Sequence, residues 1–305
     1  MRAKLETGGS VASWARSGER SNRLALRFMA WFALTLGRRA ARVLLLPITL
    51  YFLLFAPTAR RHSARYLQRV LGRSPSWRER WRHFHSFSSV VLDRVYFVRG
   101  RMDLFDLQIS GEEFIDQDLQ TGRGVLLLGA HIGSFEALHA VGASRPGLRV
   151  AMVMYPDNAE KIHGVLQAVA PDFKLGIIPI GRSGSSLAVR DWLDSGGLVG
   201  LLGDRHLGPA LGAGIVELPF LGVPVGFTDG PLRLAQLLRR RVLFMSALYR
   251  GGNRYEMRFE PLADFSQAGA SVPAALQAYV SRLESLVHEA PFNWFNFFDY
   301  WREEH

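Results

Sequence analysis

From residue 111 onward, short apolar runs alternate with segments compatible with helices. Gly124 to Ala130, Arg149 to Tyr155, Gly176 to Ile180 and Leu198 to Asp204 read as buried strands. Helix-compatible stretches around 134–143, 158–169 and 184–194 separate them. Continuous apolar strands between helices predict an α/β fold with a mostly parallel central sheet flanked by helices. Arg241 to Arg250 and Tyr255 to Leu262 predict a strand pair turning at Gly251-Gly252-Asn253. A closing helix is expected over about 272–289, ahead of an aromatic tail from Phe292 to Trp301. No internal repeat or low-complexity tract stands out.

The first hundred residues follow another pattern. Residues 1–22 are polar and predict a disordered basic tail. Two apolar runs follow, Leu24 to Leu36 and Val43 to Ala56, divided by Gly37, Arg38, Arg39 and Arg42. Each is shorter than the roughly 20 residues a spanning helix needs, and Pro47 lies inside the second. Interfacial attachment, a single span and a buried helical hairpin are all compatible with that arrangement. Between Trp77 and Val98 the large residues Trp77, Trp81, Phe84, Phe87, Val91, Val95 and Val98 recur at helical steps, predicting an amphipathic helix. The expected division is therefore a tail over 1–22, a membrane-associated helical region over 23–100 and an α/β domain over 101–305.

Charge sharpens this division. The net charge is +10, and residues 1–101 hold 20 of the 37 Lys/Arg but only four of the 27 acids. Arginine interleaved with apolar residues points to an anionic membrane surface as partner, not to nucleic acid. Cysteine is absent, which excludes disulfides, thiolate nucleophiles and cysteine-held metals. The nine histidines show no metal-binding spacing, so neither a metal nor a bound cofactor is expected. Gly181-Arg182-Ser183-Gly184-Ser185 lacks the final glycine of a nucleophile elbow, and Gly212-Ala213-Gly214 lacks the setting of a dinucleotide fingerprint.

Chemistry concentrates in Gly129-Ala130-His131-Ile132-Gly133-Ser134-Phe135-Glu136, where the most apolar strand gives way to a helix. In an open parallel sheet, sites form at such strand ends. Small residues, Ser134 among them, leave room for a substrate beside His131. Glu136, five residues on, is within reach of the imidazole through the first helical turn. A histidine held in one tautomer can take a proton from a hydroxyl or amine as that group attacks a carbonyl. A polar helix start with an acid placed by the helix dipole has the same spacing, so the motif alone leaves both readings open.

The segment resembles the HxxxxE form of the motif shared by glycerolipid acyltransferases and the lipid A lauroyl/myristoyl acyltransferases. Further blocks resemble the second group in the same order: Tyr155-Pro156-Asp157-Asn158, Gly203-Asp204-Arg205-His206, Val216 to Gly222, Gly230-Pro231 and Trp294 to Trp301. With the basic, apolar N-terminus the resemblance covers roughly residues 25–301. It implies direct transfer of a fatty acyl group from an acyl carrier protein or coenzyme A thioester to a lipid or glycolipid acceptor. The place would be the cytoplasmic face of the bacterial inner membrane. His131 would be the general base and Glu136 its partner. Related phosphatidylinositol mannoside acyltransferases imply that an acid of the later block plays the partner's part, and Asp204 stands there. Arg182 and Arg205 are candidate contacts for phosphate or pantetheine groups. His206 occupies a position where these enzymes often carry a second acid, so acceptor contacts do not carry over. The other class of function compatible with the sequence is a non-catalytic membrane or acyl-carrier binding protein on the same scaffold.

Overall fold

The computed structural model describes residues 23–137, 142, 148–156, 176–181, 184–205 and 214–301. The expected N-terminal tail and most of the helix-compatible stretches at 134–143 and 158–169 lie outside these residues.

Three helices open the chain: α1 (Arg23–Phe55), α2 (Pro57–Leu71) and α3 (Trp77–Phe97). The two apolar runs read from the sequence lie on the single element α1, which is kinked at Gly37 by a backbone conformation (φ 80°, ψ 166°) outside the helical region. Pro57 starts α2, and Gly72 ends it in the left-handed conformation. A capping box between Ser76 and Glu79 starts α3. No single described helix is long and apolar enough to cross a membrane, whereas the bent pair Trp31–Phe55 and Pro57–Leu71, meeting at 92°, passes that test jointly.

The buried face of α3 differs from the expected stripe. Trp77 and Phe87 are 49 % and 39 % exposed, while His83, Ser89 and Asp93 are buried with Phe84, Val90, Leu92, Tyr96 and Phe97. The cause is that α3 is covered on several sides, and its polar residues find partners there. Asp93 accepts both nitrogens of the Arg38 fork at 2.7 Å and the Tyr255 hydroxyl at 2.8 Å. Arg38 also reaches the carbonyl of Gly252, as does Arg42. These bonds tie α1 and α3 to Tyr255 and to the turn at Gly251–Gly252.

The remaining elements are β1 (Asp106–Ser110), α4 (Glu112–Gln120), β2 (Val125–Gly129), β3 (Val150–Met154), β4 (Gly176–Pro179), α5 (Ser185–Asp194) and β5 (Leu198–Leu202). After them come β6 (Ile215–Phe220), β7 (Val223–Thr228), α6 (Gly230–Leu237), β8 (Arg241–Tyr249), β9 (Arg254–Asp264) and α7 (Val272–Glu289). Seven strands form one sheet in the order β1-β9-β8-β2-β5-β3-β4, and only the β8–β9 pairing is antiparallel. The α/β class and the mostly parallel sheet match the sequence reading. Two features were not read from the sequence, the parallel edge strand β1 and the separate β6–β7 hairpin.

Alternate residues of β2 enter opposite layers, as the two-residue repeat of a strand requires. Leu126 and Leu128 join α2, α5, α6, α7 and the aromatic tail in one core. Val125 and Leu127 join α3 and α4 in the other. The strand that leads to His131 is therefore buried on both sides, which fixes the place of its C-terminal end.

Candidate active site

The register of the sheet assembles the site. Gly129, the last residue of β2, pairs with Leu202, the last residue of its parallel neighbour β5. The amide of Gly203 then donates to the carbonyl of Gly129 at 3.0 Å, and the Tyr279 hydroxyl of α7 donates to the same oxygen at 2.9 Å. Two residues beyond each strand end, His131 and Asp204 consequently stand side by side.

The His131 ring places Nδ1 2.8 Å from Asp204 Oδ1, and the His131 backbone amide donates to Oδ2 at 3.1 Å. The Trp294 indole Nε1–H also donates to Oδ2, at 3.1 Å. The Tyr300 hydroxyl holds the backbone carbonyl of Asp204 at 2.8 Å. The Asp204 side chain is fully buried, whereas that of His131 is 38 % exposed. A carboxylate in this position accepts from Nδ1–H and leaves the lone pair on Nε2 for a substrate proton.

Burial would raise the Asp204 carboxyl, but His131, Arg205 and the Trp294 hydrogen bond together hold it well below the usual carboxylate range. Burial lowers the His131 imidazole below its ordinary value, and Arg205 lowers it further against the opposing pull of Asp204 and Glu136. Near neutral pH the pair is thus an anion beside a neutral imidazole, the protonation state of a general base.

The loop carrying His131 is clamped from two sides. The Gly133 amide donates to the Asn293 carbonyl at 2.9 Å, and the Ser134 amide to the Ala247 carbonyl at 2.9 Å. Gly133 has φ 66°, and a Cβ there would stand 1.8 Å from the Ala247 carbonyl oxygen, so only glycine fits. Ser134 is wholly buried, and its Oγ accepts the Ala137 amide at 3.2 Å as the helix begins. Its hydroxyl thus caps the helix start from inside the protein.

Glu136 lies one turn further on and forms an ion pair with Arg94 of α3 at 2.7 Å. It is Asp204, therefore, and not Glu136, that is hydrogen-bonded to the imidazole. The positive φ of Gly133 turns the chain so that the helix start faces α3. Arg205 packs its guanidinium 4.6 Å from the centre of the Phe298 ring and reaches the Phe295 carbonyl at 3.4 Å. It lies beside the dyad, with Nε 4.0 Å from Asp204 Oδ2. Arg182 and His206 lie outside the described residues.

Trp294 and Tyr300 were read from the sequence only as part of an aromatic block. Their hydrogen bonds to Asp204 span 90 and 96 residues, and no local pattern announces such a pairing. The signals in the sequence are the density of aromatics from Phe292 to Trp301 and the resemblance of Trp294 to Trp301 to a family block.

The family model of bacterial lipid A biosynthesis acyltransferases matches residues 22–303, nearly the whole chain. Comparison with the curated proteins gave no match.

Proposed function

Taking as its basis that the chain belongs to the bacterial lipid A biosynthesis acyltransferase family, we propose that it acylates a lipid or glycolipid at the cytoplasmic face of the bacterial inner membrane. The donor is a fatty acyl thioester of acyl carrier protein or coenzyme A, and His131 is the general base. The observation that carries this reading is the His131–Asp204 dyad, a partly exposed imidazole backed by a buried carboxylate at 2.8 Å.

In the reaction, His131 Nε2 takes the proton of the acceptor hydroxyl or amine as that atom attacks the thioester carbonyl. Asp204 stabilises the resulting imidazolium through Nδ1–H. Collapse of the tetrahedral intermediate breaks the C–S bond, and the departing thiolate takes the proton back from Nε2. An ester or amide and a free thiol result, with no acyl group held on the protein. Chain segments from four places support this geometry, namely the ends of β2 and β5, α7 through Tyr279, and the aromatic tail.

Membrane attachment rests on α1. Trp31, Leu36, Val43, Leu46, Leu50, Tyr51, Phe52, Leu54 and Phe55 are all exposed on it, more than scattered surface apolar residues account for. Exposed Arg39 and Arg61 lie on either side of the second apolar run. Apolar burial at the interface and attraction of about 1 kcal/mol per basic residue near anionic headgroups would add together. Lipid acceptor would then arrive in the membrane plane and thioester from the cytosol.

The test is a comparison of lipid extracts from cells with the gene deleted, restored, or restored as His131→Ala. The expected outcome is a lipid heavier by one acyl chain in the restored strain alone. A lipid profile indifferent to the deletion, or restored by His131→Ala, overturns the reading.

A further inference from the structure

Trp294 has no role in the proton transfer itself, yet it is wholly buried against the dyad. Tyr66, Phe220 and Tyr300 surround it, with ring centroids at 5.0, 5.4 and 4.8 Å. Its backbone bridges to Ile132, the residue after the proposed base. On its other side, His83 Nε2 lies 3.0 Å from the Trp294 carbonyl, and His83 Nδ1 lies 2.8 Å from Ser63 Oγ. A carbonyl only accepts, so Nε2 carries the proton and Ser63 donates to Nδ1. Ser63 on α2 and His83 on α3 are both fully buried.

We propose that Trp294 is the positioning residue of the dyad: anchored by Ser63 and His83, it fixes the Asp204 carboxylate where both His131 N–H groups meet it, and it sets the basicity of the pair. The inference rests on the reading of His131 as base. An indole N–H donates and never accepts, and the chain of bonds enters Trp294 at its carbonyl and leaves at its ring. No proton passes along it. The effect is geometric and electrostatic.

A donor on a buried carboxylate stabilises the anion. Without it Asp204 becomes more basic, holds the imidazolium more tightly and raises the titration midpoint of His131. Among the described residues the charged groups acting on His131 are Asp204, Arg205 and Glu136, the last paired with Arg94. Of these only Asp204 is hydrogen-bonded to the Trp294 ring, so the replacement acts on His131 through Asp204.

The test is nitrogen-15 NMR titration of the histidine rings in the full chain in detergent micelles, with His131 assigned by its absence in His131→Ala. Trp294→Phe is expected to move the His131 midpoint upward by about 0.5 unit or more. It is also expected to lower kcat roughly tenfold with lauroyl coenzyme A and detergent-dispersed lipid A precursor, leaving KM for the thioester unchanged. His83→Phe removes the anchor and is expected to shift the midpoint the same way, while His83→Gln, whose amide can donate to the Trp294 carbonyl, restores it. A folded Trp294→Phe with the wild-type midpoint overturns the proposal. If that variant does not fold, identical midpoints in His83→Phe and His83→Gln overturn it. Failure of the base reading is separate, since it would appear as acyl transfer by His131→Ala whatever the titrations give.

Discussion

A histidine that takes a proton must first be neutral, and at His131 burial and Arg205 favour that state over the pull of Asp204. The pH-rate profile is therefore expected to have its acid limb below the ordinary imidazole value of 6.5, because activity is lost only as pH falls through the lowered value. A limb at or above 6.5 would contradict it. The two acids near the ring are expected to differ sharply when neutralised. Asp204→Asn offers its amide to Nδ1 and removes the charge opposite the imidazolium, so turnover should fall by about 10²–10⁴-fold. Glu136→Gln loses an ion pair with Arg94 that is partly exposed, worth at most about 1 kcal/mol, and should keep turnover within about tenfold. Steady-state kinetics on both variants decides which acid supports the base. His83 leaves a different signature. Its pKa is lowered by burial from 6.5 to about 4, so it is neutral in the folded protein and charged in the unfolded chain between those values. Its contribution to stability is fully present above pH 6.5 and is lost as pH falls toward 4, amounting to about 3 kcal/mol. Chemical denaturation across that range should show a slope that His83→Gln flattens. The sequence exposed His131 through its small neighbours, but the spacing of five to Glu136 suggested a partner that the turn at Gly133 directs elsewhere. Asp204 was legible only by resemblance, because the register that joins it to His131 is set by two whole strands.

At the scale of elements, short apolar runs match β2, β3, β4 and β5; β2 and β5 are buried along nearly their whole length, which leaves an unbroken apolar signal. Ser271 and Pro273 mark the start of α7 just as clearly. Edge strand β1 and the β6–β7 hairpin are less legible: β1 alternates but offers only Leu107 and Ile109 as apolar positions, and β6 is half exposed with an irregular pattern. The buried face of α3 departs from the apolar stripe because burial of His83 and Asp93 is decided by partners on other elements. Helix α1 leads to an expectation of its own. Its exposed apolar residues make few demands on the fold, so Leu46→Gln, Leu50→Gln and Phe55→Gln combined should leave thermal unfolding nearly unchanged. Cosedimentation with vesicles containing anionic lipid should nonetheless fall by about tenfold or more, since each side chain forfeits roughly 1.5–3 kcal/mol of apolar burial. Undiminished sedimentation of the folded variant would move the membrane contact away from this face.

Across the whole molecule, the N-terminal helices and the aromatic tail converge on the loop that carries His131. Tyr66 of α2 donates to the Pro291 carbonyl, His83 of α3 holds Trp294, and Arg69 and Arg82 stack on Trp301 and Phe292. If the chain docks through α1 as proposed, its site is built against α2 and α3, and His131 lies close to the elements that would meet the lipid. Composition showed the basic N-terminal third but not this closure, which depends on contacts more than 200 residues apart. The most direct measurement is the initial rate of acyl transfer by His131→Ala beside wild type. Both would be in detergent with lauroyl thioester and lipid A precursor, and their thermal melting would be matched. The expected result is a folded variant slower by about 10²–10⁴-fold, the contribution of a general base. A matched melting curve with transfer close to wild type would contradict the account.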